Sequence, residues 1–112
     1  MKFRSTLIAL GAALTLGFTA SAPVQAADCS SVTFSDVGWT DITSTTAAAT
    51  TILHALGYKT DVKVLSVPVT YQALSKGDVD VFLGNWMPSM AANVDPYTKD
   101  GTVETLGTNL TG

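Results

Sequence analysis

Twice in this chain a run of strand character ends in a glycine, with a tryptophan one or two residues behind it. Val32-Thr33-Phe34-Ser35-Asp36-Val37 leads into Gly38-Trp39-Thr40-Asp41, and Asp78-Val79-Asp80-Val81-Phe82-Leu83 leads into Gly84-Asn85-Trp86-Met87-Pro88-Ser89. Each tryptophan falls where a helix can start. In an open α/β sheet that place is the carboxyl edge of the strands, where ligands bind. The expectation is that Trp39 and Trp86 form two walls of one small-molecule pocket.

The residues between these two points support the sheet. From 40 to 56, Ile42, Ala49, Leu53 and Leu56 recur at helical steps, with Ile52 beside them. Thr40 or Asp41 suits the N-cap, and Gly57 suits the left-handed position after the last turn. Residues 61–67 alternate as a strand does. Pro68 suits a first helical turn, so residues 69–76 read as a short helix ended by Gly77, and 78–83 as the third strand. Strand, helix, strand, helix, strand predicts right-handed crossovers and a mainly parallel sheet. Beyond Pro88 we expect a short helix at 89–93, turns at Asp95-Pro96 and Lys99-Asp100-Gly101, a strand at 103–106 and a turn at 107–109.

Residues 1–26 read as a secretory signal peptide. Lys2 and Arg4 make the positive start, and residues 7–18 form an apolar run shorter than the roughly 20 residues of a membrane span. Val24-Gln25-Ala26 is a cleavage-type site, with the cut after Ala26 or Ala27. Asp28 before Cys29 argues against lipid attachment, which needs a small residue there. Residues 27–112 are then a small length for a ligand-binding α/β domain, and we expect them to be the N-terminal portion of a substrate-binding domain in a longer protein. The lone cysteine, Cys29, is either a free buried thiol or half of a disulfide whose partner lies elsewhere.

Several function classes are excluded by what the chain lacks. A net charge of −3 without a Lys/Arg patch argues against nucleic acid. One cysteine and one histidine leave no metal site, and no cofactor motif is present. No Gly-x-Ser-x-Gly elbow occurs, and His54 reads as a helix-surface histidine. Asp78 and Asp80 read as a solvated strand end, and the sequon at Asn109-Leu110-Thr111 is too short a match to carry weight. The expectation is a binder and not an enzyme; the competing reading, an exported hydrolase, would require catalytic residues from outside this chain.

Trp39 and Trp86 could be ordinary core aromatics. Their shared placement after glycine at one sheet edge favours the pocket. Asp41, two residues after Trp39, is either a helix cap or a carboxylate beside the indole faces. In the second role it suits a cation. Quaternary ammonium has no N–H to donate and is held by aromatic faces at about 0.5–2 kcal/mol per ring.

With Gly38-Trp39-Thr40-Asp41, Tyr71-Gln72-Ala73-Leu74, Asp80-Val81-Phe82, Asn85-Trp86-Met87-Pro88-Ser89 and Asp100-Gly101-Thr102-Val103-Glu104-Thr105-Leu106, the chain from Val32 onward resembles substrate-binding proteins of the glycine betaine/choline class of ABC importers. It looks most like the choline-binding members. The resemblance implies part of one lobe of a two-lobed, periplasmic venus-flytrap protein of type II. It further implies choline in an aromatic cage, with Trp39 and Trp86 as two walls and Asp41 accepting from the choline hydroxyl. The remaining cage walls, most of the second lobe and a partner for Cys29 would lie outside this chain. Permease and ATPase subunits of an importer are the implied partners. Alternatives are a glycine betaine or proline betaine binder, or an exported sensor of the same fold.

Overall fold

The computed structural model describes residues 29–111, so the signal peptide expected at 1–26 lies outside the described residues. The elements follow in the order β1 (Ser31–Asp36), α1 (Thr40–Ala55), β2 (Lys59–Val64), α2 (Val67–Lys76), β3 (Val81–Phe82) and α3 (Ala91–Lys99). All three strands are parallel, in the order β2-β1-β3. The α/β class and parallel sheet are thus as expected.

This order decides where the site is. The chain steps from β1 outward to β2, then back across β1 to β3. Right-handed crossovers in opposite directions put α1 and α2 on opposite faces of the sheet. The strand order reverses between β1 and β3, and a crevice opens beyond their carboxyl ends. In register, Ser35 pairs with Phe82. Trp39 and Trp86 each lie four residues beyond their member of that pair.

Helix ends follow local chemistry. Gly57, at φ 91°, takes the left-handed position after α1. Its N–H donates to His54 C=O, and the Tyr58 N–H donates to Leu53 C=O, the paired bonds of a Schellman end. Gly77 ends α2 in the same way. The expected side-chain cap at Thr40 or Asp41 is not formed. Trp39 occupies the N-cap position with no side-chain bond, because the Asp36 carboxylate already braces this turn.

The core sits between α2, α3 and the sheet. Tyr71, Met90 and Val94 are buried together, with Val67, Leu74, Phe82, Tyr97 and Val103 packed around them. The Tyr71 and Phe82 rings meet edge to face at 5.8 Å. Ser35 and Thr70 share a buried 2.7 Å hydrogen bond that ties β1 to α2. On α1 the stripe is buried at Ile42 and Thr46, while Ile52 and Leu56 face outward.

Further expectations are corrected. The second strand is Lys59–Val64 rather than 61–67: the Leu65 N–H still donates to Asp36 C=O, but residues 65 and 66 lie beyond the strand and Val67 already belongs to α2. The third strand shortens to Val81–Phe82. There Asp80 satisfies Thr33 by itself, its N–H donating to Thr33 C=O while its carboxylate accepts the Thr33 N–H at 2.7 Å. Asp95-Pro96 is no turn but lies inside α3, where burial of Val94 beside Met90 and Tyr71 outweighs the hydrogen bond that proline removes. Residues 103–106 form no strand: Val103 packs on the core, Leu106 is exposed, and no described strand runs alongside to pair with them.

Candidate functional site

Each tryptophan is presented by a turn that its own sequence builds. After β1, the Asp36 carboxylate accepts the Gly38 N–H at 2.8 Å and the Thr43 hydroxyl at 2.7 Å. Gly38 takes φ 77°, a region where a side chain is strained, and reverses the chain so that Trp39 stands at the head of α1. Thr43 N–H donates to Trp39 C=O at 2.8 Å, closing the first turn.

After β3, Gly84 is required for space rather than for dihedral freedom. A Cβ there would stand 2.7 Å from Ile42 Cδ1 and 2.9 Å from both Ile42 Cγ1 and Phe82 Cζ. The first turn of α1 therefore packs directly over the end of β3. Gly84→Ala is expected to lower stability by about 1–2 kcal/mol through overpacking, read as a lower denaturation midpoint at unchanged slope.

Trp86 is anchored from below. Its C=O accepts the Met90 N–H at 2.8 Å, and its own N–H points to Met90 Sδ at 3.4 Å. The Tyr71 hydroxyl donates to Asn85 Oδ1 at 2.6 Å and contacts the same sulfur at 3.4 Å. Burial pushes the Tyr71 hydroxyl up to about 12, so it stays a donor throughout the neutral range. An unfolded tyrosine ionises near 10.0, so between that pH and about 12 the folded state holds the extra proton and stability falls as pH rises. In Tyr71→Phe that part of the alkaline loss is expected to vanish. At neutral pH the variant is expected to be about 1 kcal/mol less stable, because Asn85 loses its donor. Denaturation curves taken across that pH range check both.

The two indoles meet at this edge. Their ring centroids are 5.1 Å apart and their planes tilt by 49°, forming a corner. Trp39 is 39 % exposed and Trp86 49 %, values of side chains at an opening rather than in a core. The crevice beside them is lined by Asp41, Ile42, Tyr71, Asn85, Trp86 and Met87, among others. Trp39 joins it through its contact with Trp86. Asp41 is exposed in the first turn of α1, and its carboxylate has no hydrogen-bond partner among the described residues. All three residues singled out in the sequence thus lie at one edge.

Sequence reasoning missed the supports. Asp36 was read only as part of a strand, although Asp-x-Gly after an apolar run is a turn signal. The Tyr71–Asn85–Met90 linkage joins distant positions and leaves no local trace. His54 is exposed and shares a 2.6 Å hydrogen bond with the Thr60 hydroxyl, and neither residue lines the crevice. Cys29 is exposed and free among the described residues, against the buried thiol considered above. No group of three metal-ligating side chains occurs among the described residues.

A crevice at a strand-order reversal, bordered by exposed aromatics, is the place where an open α/β lobe takes a small ligand. Residues 30–112 match the family described as the substrate binding domain of the ABC-type glycine betaine transport system, and the chain belongs to that family. Substrate-binding domains of ABC importers are binding proteins rather than enzymes. Over 96 residues it is 56 % identical to a Chromohalobacter salexigens protein described as "Uncharacterized protein ORF1", covering 84 % of this chain and 62 % of the relative. It is 72 % identical to a solved ABC-transporter choline binding protein in complex with choline (TM-score 0.64), over 64 % of this chain and 25 % of that one. A choline binding protein in an unliganded semi-closed conformation is 69 % identical (TM-score 0.69), over 75 % of this chain and 29 % of that one. The chain thus spans a minor part of the solved proteins and about three fifths of the Chromohalobacter relative.

Proposed function

We propose that this chain supplies the N-terminal part of one lobe of a periplasmic choline-binding protein that hands its ligand to an ABC permease and its ATPase. Residues 1–26 are the signal peptide in this reading, and 27–112 the exported portion. The observation that carries it is the pair of half-exposed indoles with ring centroids 5.1 Å apart, with a carboxylate on the same edge that has no partner among the described residues. Similarity to the choline-bound protein supports the ligand.

Rings this close leave no space for a cation between them. The trimethylammonium group lies in the open corner of the two tilted planes, against both faces. Asp41 accepts the hydroxyl of choline. Other residues of the longer protein complete the enclosure.

The family's description favours glycine betaine as a second reading. The two ligands share the ammonium head and differ at the tail, where Asp41 would repel a carboxylate. Two measurements test the proposal. Sequencing the N-terminus of the mature protein from a periplasmic extract should start at Ala27 or Asp28; an intact Met1 removes the export reading. Equilibrium dialysis of the mature full-length protein should retain choline over glycine betaine; retention of neither removes the ligand reading.

A further inference from the structure

The carboxyl edge of a parallel sheet ordinarily favours anions. Helices begin there, and each N-terminus carries roughly half a positive charge. α1 begins at Thr40, directly after Trp39, so the bare architecture is adverse to a quaternary ammonium group at this corner. Two carboxylates stand at that helix end. Asp41 faces the crevice. The other, Asp36, is 4 % exposed at the end of β1.

Asp36 has an unusual environment. Both its oxygens accept hydrogen bonds, from the Gly38 N–H and the Thr43 hydroxyl, as an ionised carboxylate does. Among the described residues no lysine, arginine or histidine pairs with it. Thr43 also donates its N–H to Trp39 C=O, so a single residue ties the carboxylate to the backbone of the first indole. A buried negative charge with no cationic partner is costly. Here it lies three residues before Trp39 and is tied to that residue's backbone through Thr43.

We infer that Asp36 is a second specificity determinant of the site, acting without touching the ligand: its charge offsets the positive end of α1 and makes the tryptophan corner select cations over neutral molecules of the same shape. This rests on the cation-binding reading above. Asp41 meets the ligand's hydroxyl, whereas Asp36 acts on its charge alone, so the two roles separate experimentally.

The test compares choline with its neutral isostere, the alcohol in which carbon replaces the ammonium nitrogen, on the mature full-length protein. Asp36→Asn keeps the shape and an acceptor for Gly38 while removing the charge. Choline should bind about tenfold more weakly, the scale of one partly screened charge within about 10 Å, while the alcohol's Kd stays unchanged. Parallel weakening of both ligands, or no change in either, overturns the inference by reducing Asp36 to a turn brace. Should Asp36→Asn fail to fold, Asp36→Glu takes its place. It keeps the charge and disturbs the hydrogen bonds, so the ratio of the two Kd values should persist even where both rise, and its collapse overturns the inference. Wild-type protein that binds neither ligand overturns the underlying cation-site reading, an outcome distinct from any of these.

Discussion

Trp86→Ala is expected to weaken choline binding by about thirtyfold while leaving the fold intact. In the proposed site the ring would contribute a cation–π face, about 0.5–2 kcal/mol, and apolar contact with the ammonium methyl groups at roughly 25 cal/mol per Å². Together about 2 kcal/mol is at stake, and about 1.4 kcal/mol is a factor of ten. The fold tolerates the change because the indole is 49 % exposed and its backbone, not its ring, carries the bonds to Met90. Trp86→Phe keeps a face and is expected to lose less. Calorimetric titration checks the affinities and a denaturation curve checks the fold. Unchanged choline affinity in Trp86→Ala would take this ring out of the site.

Asp41→Asn is expected to shift the choline-to-betaine preference by tenfold or more. Choline ends in a hydroxyl that donates to a carboxylate, and the charge-assisted bond is stronger than one to a neutral amide. Glycine betaine ends in a carboxylate that Asp41 repels, so the substitution weakens the first ligand and relieves the second. The Asp41 carboxylate has no hydrogen-bond partner among the described residues and stands exposed in the first turn of α1, so stability should change little. Side-by-side competition between the two ligands reads the ratio directly. A ratio that stays fixed would assign selectivity to residues elsewhere in the protein.

Much of this sheet edge is legible in the sequence because it is built from local signals. Strand, glycine and tryptophan are contiguous at both places, and the sheet's parallel order follows from the alternation of elements. Gly57 and Gly77 mark helix ends that depend on their own dihedrals. What escaped was set by tertiary contact. Pro96 sits within a helix because Val94 and Tyr97 pack on the Tyr71 cluster. Residues 103–106 have strand character, but a strand needs a neighbour, and none of the described strands lies beside them. Val62 and Val64 alternate as a half-buried strand would, yet both are exposed among the described residues. Asp36 looked like any polar strand residue; only its burial and its two donors mark it as a brace under Trp39.

The central claim is that Trp39 and Trp86 form a corner for a quaternary ammonium group and that Asp41 chooses its tail. Tryptophan fluorescence of the mature full-length protein, titrated with choline and glycine betaine in parallel, addresses both parts at once. The account predicts a saturable emission change with tight choline binding and weak betaine binding. Equal or tighter betaine binding would contradict the role of Asp41, and no response to either ligand would contradict the site itself.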